Sequence, residues 1–362
     1  MLGARDAVRT KIDSRVRYAS VARYPESTEM DEDGYAGYDG RDLAPHADRP
    51  GRVLRMATAG LKEATFENVV VPEELGPIQL VVDDHFIKRY AFTVDDYLPW
   101  AMAEPSPFGG RIGHAAILAD DLLKVFYTRF DKSTVVGLHT EEQLWFDNPV
   151  FLGERVTLTG RYVDKYVKRD RGHVVLEAQA TGEDGRSLIR HRGIEIMRIG
   201  EGHGAGGGRA EPPEQRVTAQ FREDLPEAAS ASLLLEPGTP LPSLSKTVTQ
   251  EQMTVFSVRG SYHKGLHNDL ELAQRAGLRT PIAQGQMQAC YAAQLLTSFF
   301  GASFFTSGWL RLKFLNPVFP GETLTLRGAV TGVRDGRLNL ELWSQNEQGK
   351  WIAAGWASAK PS

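Results

Sequence analysis

LWFDNPVFLGERVTLTG (144–160) and LKFLNPVFPGETLTLRG (312–328) decide the fold, one pattern repeated 168 residues further along the chain. Both carry Asn-Pro-Val-Phe-x-Gly-Glu and then alternate apolar and polar residues, the pattern of a turn feeding a half-buried strand. Further strands are expected at matching places, 173–181 and 188–197 in one copy and 338–343 and 351–359 in the other. Arg171-Gly172, Asp184-Gly185, Asp335-Gly336 and Gln348-Gly349 supply hairpin turn chemistry between them. Upstream of each strand set the pattern predicts one long helix. Residues 112–130 place Ala115, Ala116, Leu122, Leu123, Phe126 and Phe130 near one face, and residues 287–300 are apolar over much of their circumference. A helix that apolar has to be enclosed. The fold class that follows is α+β, with two antiparallel sheets, each wrapped around a long central helix.

Four regions are expected. Residues 1–64 form an irregular N-terminal arm, with a turn-rich acidic stretch at 31–42; 65–199 are the first repeat; 200–240 are a linker; 241–362 are the second repeat. Gly fills six of the nine positions 200–208. No Lys-Ser/Thr follows and no strand–helix pair brackets it, so a flexible linker is the better reading than a phosphate loop.

Composition narrows the function classes. The chain has 362 residues, 42 Lys+Arg against 46 Asp+Glu and one cysteine. A net charge of −4 gives no electrostatic reason to expect nucleic acid. Cys290 alone cannot make a disulfide framework, a CxxC pair or a multi-thiolate zinc site. The apolar stretch 289–305 is interrupted by Gln294, Thr297, Ser298, Gly301 and Ser303, so it reads as a core helix and no membrane span is expected. The first residues lack the apolar run of a secretory signal, and Asp6 and Asp13 argue against a transit peptide; the chain reads as cytoplasmic.

A duplicated sheet-on-helix unit with NPVFPGETL after the helix resembles the MaoC-like double hot-dog proteins, which include R-specific enoyl-CoA hydratases and hydroxyacyl-thioester dehydratases. The resemblance covers about 66–197 and 241–359. The family's catalytic stretch, roughly G-D-x-N-P-x-H-x-D-x-x-x-A and then Pro-Ile-x-His-Gly, is matched by GSYHKGLHNDLELAQRAGLRTPIAQGQM (260–287). His267 falls on the catalytic His, Asp269 and Ala273 on the next two markers, and Pro281-Ile282 and Gly285 on the turn. The departures are Tyr262 for the catalytic Asp, Lys264 for Asn, Gly265 for Pro and Gln284 for the His before Gly285.

The residues support a local reading beside the resemblance. Asp269 is placed to cap a helix over 270–276, with Leu272, Ala273 and Ala276 inward and Gly277 ending it. A helix starting close behind Pro281 would point unpaired N–H groups forward near Gly285, where an enolate-like thioester oxygen is favoured. His267 is the candidate acid/base, since imidazole titrates near neutrality; the competing reading is a histidine that only bonds a neighbouring carbonyl. Tyr262 is a second candidate proton carrier, weighed against a packing aromatic, and His263 a third if one residue is inserted in the loop. Gly285 and Gln284 are candidate substrate-binding positions.

In the first repeat, 93–118 lacks the whole stretch around His267 but keeps His114 at the family's His-Gly turn, with Ala115 for Gly. The resemblance implies that this repeat became a wall or tunnel for an acyl group, with His114 and Trp100 as candidate substrate contacts and Met102 and Phe108 beside them; ordinary core is the equal alternative. Asp95 and Asp96 read as a helix-start pair.

The leading expectation is an acyl-thioester hydratase or dehydratase, a hydro-lyase acting on a CoA or acyl-carrier substrate. No metal, flavin or nicotinamide cofactor is implied. A hot-dog thioesterase or other acyl-CoA lyase, and a noncatalytic acyl-thioester-binding subunit, are the alternatives. The chain is expected to be a monomer or homodimer.

Overall fold

Each Asn-Pro-Val-Phe-x-Gly-Glu turn is held by its own residues in the same way. The Asn148 and Asn316 side-chain amides donate to the carbonyls of Ser187 (2.8 Å) and Trp351 (2.7 Å). Val150 and Val318 are buried, and Gly153 and Gly321 take left-handed backbone at φ 84° and 89°. The closing glutamates accept the Phe151 and Phe319 N–H groups at 2.9 and 3.0 Å. The Asn, Val, Gly and Glu of the repeat therefore each have a local job, and both copies do it.

The structure, a computed structural model, describes residues 60–135, 137–168, 171–198, 216–257 and 264–361. The strands are β1 (Glu73–Val81), β2 (Gly137–Phe146), β3 (Arg155–Lys168), β4 (Arg171–Gly182), β5 (Ser187–Met197), β6 (Leu244–Thr247), β7 (Trp309–Phe314), β8 (Thr323–Arg334), β9 (Arg337–Asn346) and β10 (Trp351–Ala359). They form one ten-stranded sheet in the order β1-β3-β4-β5-β2-β7-β10-β9-β8-β6. The two five-strand sets are the same arrangement read in opposite directions, joined by antiparallel pairing of β2 with β7 from Glu141↔Lys313 to Trp145↔Trp309. This is the expected double hot-dog, with its two sheets fused at their edges. Across the seam the Arg311 guanidinium donates to both Glu141 oxygens at 2.8 and 2.9 Å.

The helices are α1 (Asp84–Val94), α2 (Pro99–Met102), α3 (Ala119–Leu123), α4 (Gln250–Ser257), α5 (Leu270–Arg275), α6 (Gly285–Phe300) and α7 (Phe304–Ser307). In the second repeat α6 is the expected central rod, with thirteen of its residues buried. The continuous first-repeat helix over 112–130 is not found. Ile112 bridges to Phe151 and the Gly113 N–H donates to the Val150 carbonyl, which keeps that segment extended. The His114 ring then takes the Ala116 N–H (3.0 Å), a local bond that competes with helix. Helix begins only at Ala119 and passes at Lys124 into a short 3₁₀ turn. Ile112 and Ala116 to Ala119 are fully buried, so these turns fill the core without regular helix.

The expectation of a flexible linker fails for residues 216–240, which are irregular but bonded to the second repeat. Thr218 donates through its N–H (2.8 Å) and its hydroxyl (2.6 Å) to the buried Glu341 carboxylate, and Phe221 packs on Trp343 with ring centres 5.1 Å apart. The remainder of the linker to residue 215 and the arm to residue 59 lie outside the described residues. Among the described residues no helix is long and apolar enough to cross a membrane.

Candidate functional site

The loop that carries the family-like motif is pinned to the start of α6. Asp269 caps α5, accepting the Leu272 N–H at 3.0 Å, and that N–H together with the Lys264 ammonium (3.0 Å) holds its carboxyl below the usual range. Ala273 packs inward as expected, but Ala276 is exposed, because α5 stops at Arg275 and Gly277 turns away at φ 81°. The Ile282 N–H donates to the Leu266 carbonyl (3.2 Å), which lays 264–269 against the segment leading into α6.

His267 is half-buried in that loop, and its Nδ1 lies 2.7 Å from the Ile282 carbonyl. A carbonyl only accepts, so Nδ1 carries the proton and Nε2 of the neutral ring carries the lone pair. The bland reading, a carbonyl-bonded histidine, is thus realised, and the same bond leaves the ring in the tautomer a base needs. Its backbone is held too: the Gln250 side-chain amide donates to the His267 carbonyl at 2.9 Å. Tyr262 and His263 lie outside the described residues.

Gly285 opens α6 directly behind Gln284, whose side chain makes no capping bond to the helix. The Met287 N–H is taken by the Gln284 carbonyl at 3.1 Å, which leaves the Gly285 and Gln286 N–H groups to present partial positive charge at the helix head. A side chain at position 285 would put its Cβ 2.9 Å from the Phe314 ring, so only glycine allows this packing. Gln284 is buried, and its Nε2 donates to the Met253 carbonyl (3.0 Å) and the Ser257 hydroxyl, tying the turn to α4.

The first repeat repeats this turn with different chemistry. Gly113 and Ala283 donate their N–H groups to the equivalent Val150 and Val318 carbonyls, both at 2.9 Å, so His114 occupies the place of Gln284 and Ala115 that of Gly285. His114 is buried, its Nε2 3.2 Å from the Asp96 carboxylate. Burial opposes ionisation of Asp96, yet His114 and the Lys246 charge hold its carboxyl below the usual range. Asp95 and Asp96 do not start a helix; Asp95 ends α1 in left-handed backbone (φ 49°), its carbonyl accepting from Lys246. Tyr90 donates to the Ala116 carbonyl (2.6 Å) and touches Cys290, and burial pushes both the phenol and the thiol up, so Cys290 is not an activated nucleophile. Trp100 is half-buried, 6.3 Å from the Phe305 ring, and Phe108 packs on the same ring at 6.0 Å.

One group of chemistry-bearing residues escapes sequence reasoning. His139, Glu142 and His191 place donor atoms within 4.8 Å of one another beneath the first turn of α6. They lie on two strands, and the i,i+3 spacing of His139 and Glu142 normally puts residues on opposite faces of a strand. No linear motif marks them.

Residues 235–347 match the family model described as MaoC like domain. The second repeat is thus similar to a MaoC-like domain. Among solved structures, a MaoC-like dehydratase superposes with a TM-score of 0.65 at 15% identity, covering 82% of this chain and 100% of its own. A MaoC-like dehydratase of Phytophthora capsici gives 0.61 at 16% identity, over 82% and 97% of the two chains. A conserved hypothetical protein of Mycobacterium tuberculosis with a double hotdog fold gives 0.58 at 14%, over 82% and 98%. At such identities the likeness shows the shared double hot-dog fold. A comparison with curated protein sequences returns no match.

Proposed function

We propose that this MaoC-like chain hydrates the double bond of an enoyl thioester, or removes water from the 3-hydroxy product, with CoA or an acyl carrier as the handle. The observation that carries this reading is the 2.7 Å bond from His267 to the Ile282 carbonyl, three residues ahead of Gly285. Nε2 takes a proton from water as the water oxygen bonds to the β-carbon. The double-bond electrons move into an enolate on the thioester oxygen, which sits on the first-turn N–H groups of α6. The imidazolium, supported through Nδ1 by the Ile282 carbonyl, returns its proton to the α-carbon, and dehydration is the reverse. One imidazole therefore serves both transfers; Tyr262 and His263 remain the candidates for a separate second carrier.

Tyr262 stands where the family has its catalytic Asp, and this favours a second reading in which the same cradle serves a thioesterase or another acyl-thioester lyase. Incubating the protein with an enoyl-CoA separates the two. Appearance of 3-hydroxyacyl-CoA supports the hydratase, release of free CoA supports the thioesterase, and tight binding without either product assigns a noncatalytic acyl-binding role.

A further inference from the structure

A buried polar group outside the His267 loop has the donors, spacing and shortage of partners of a metal site. The pairing of β2 with β5 slips between His139 and Glu141, and this bulge turns His139 and Glu142 to the same inward face. Gly193 on β5 stands opposite Glu142. A Cβ there would lie 3.1 Å from Nε2 of His191 and 3.4 Å from Nε2 of His139, so the missing side chain makes room for two imidazoles. Nε2 of His139 lies 3.1 Å from Oε2 of Glu142 and 2.8 Å from the Glu141 carbonyl, a contact it would give up to a cation, and Nε2 of His191 lies 3.0 Å from the same Glu142 oxygen. Tetrahedral coordination with bonds of about 2.0–2.1 Å needs ligand atoms about 3.3 Å apart, close to what is found.

The partner count points the same way. Glu142 is 0% exposed, Gln286 1% and His191 2%. Yet Oε1 of Glu142, Nδ1 of His139, Nδ1 of His191, Oε1 of Gln286 and Oε2 of Glu195 make no hydrogen bond, and Nε2 of His191 has only its 3.0 Å approach to Glu142. Buried polar atoms are ordinarily satisfied, and an orphaned set this dense calls for a ligand. Gln286, the second residue of α6, reaches Oε2 of Glu142 at 3.0 Å through its amide. Turning that amide end for end would present Oε1 as a fourth donor.

We infer that His139, Glu142 and His191, with the Gln286 amide as fourth donor, bind one divalent cation of the zinc class. Two imidazoles with carboxylate and amide oxygens suit a borderline transition metal and are wrong for calcium or magnesium, which take all-oxygen cages. The cation ties β2 and β5 of the first repeat to the first turn of α6 in the second, one residue past Gly285. The assignment stands independently of the thioester chemistry.

The test is metal content of the whole chain, purified without an affinity tag from zinc-supplemented cells and passed over a desalting column. About one zinc per chain is expected, with removal by dipicolinate lowering the melting temperature by at least about 5 °C and added zinc restoring it. Glu142→Gln should lower the zinc content at least about tenfold while Asp269→Asn, a carboxylate outside the group, leaves it unchanged. Should Glu142→Gln fail to fold, zinc-edge X-ray absorption of the wild-type protein decides: two imidazoles among N/O ligands support the site. Wild-type protein that holds less than about a tenth of an equivalent and does not shift its melting temperature with zinc overturns it. So does retention of wild-type zinc by folded Glu142→Gln.

Discussion

The two repeats build the same turn at the entrance to their central segment and then use it differently. In the first, His114 is sealed against Asp96 and the chain continues into broken turns. In the second, Gln284 is tied by a neutral amide to α4, Gly285 follows, and α6 runs for 16 residues without a side-chain cap at its head. The first repeat lacks the segment equivalent to the His267 loop; the second holds it against the α6 entrance through the Leu266 and Ile282 carbonyls. One copy fills its entrance with a buried imidazole–carboxylate contact, and the other starts a long helix there with the His267 loop bonded to the segment leading into it.

The contrast predicts unequal costs for equivalent substitutions. His114→Ala leaves the buried Asp96 carboxylate without its imidazole and should cost about 3–5 kcal/mol in urea unfolding, whereas Gln284→Ala, which removes a neutral amide, should cost about 1–3 kcal/mol. Equal losses would mean that the His114 imidazole matters no more to Asp96 than the Gln284 amide does to α4. Gly285→Ala pushes a methyl against Phe314 and displaces the proposed oxyanion donors, so thioester turnover should fall about 10²–10³-fold. Its counterpart Ala115→Gly should change stability by only about 0.5–1 kcal/mol, read from the shift in melting temperature.

The pair also sets an acid limb. Because the folded pKa of Asp96 is depressed, its contribution is present above the unfolded value of about 3.9 and is lost as pH falls through the folded one. Asp96→Asn should therefore flatten the pH dependence of unfolding below about pH 4 and leave a constant deficit above it, as measured by urea midpoints from pH 2 to 7. The last effect is the most symmetrical. Gly153→Ala and Gly321→Ala place a methyl in open space at left-handed backbone, and each should cost about 1 kcal/mol, equally in the two repeats.

What was readable in advance follows the range of the interactions. Asn148, Gly153 and Glu154 act on neighbours within the turn or one strand away, so the motif announces the architecture in both copies. Residues 112–130 carry a helical period, but with Ile112 and Ala116 to Ala119 buried all round, apolar spacing cannot distinguish a helix from packed turns. Residues 216–240 look like linker by composition; Thr218 and Phe221 attach them to Glu341 and Trp343, more than a hundred residues later. His267 and Gly285 were legible only through the family-like motif. His139, Glu142 and His191 were invisible because a bulge, not a period, aligns them.

The central claim is that the imidazole of His267 carries the protons. Steady-state hydration of an enoyl-CoA by His267→Ala, compared with wild type at equal folded concentration, tests it most directly. Turnover should drop about 10²–10⁴-fold with an unchanged melting temperature. A variant that still hydrates within twofold of wild type contradicts the account.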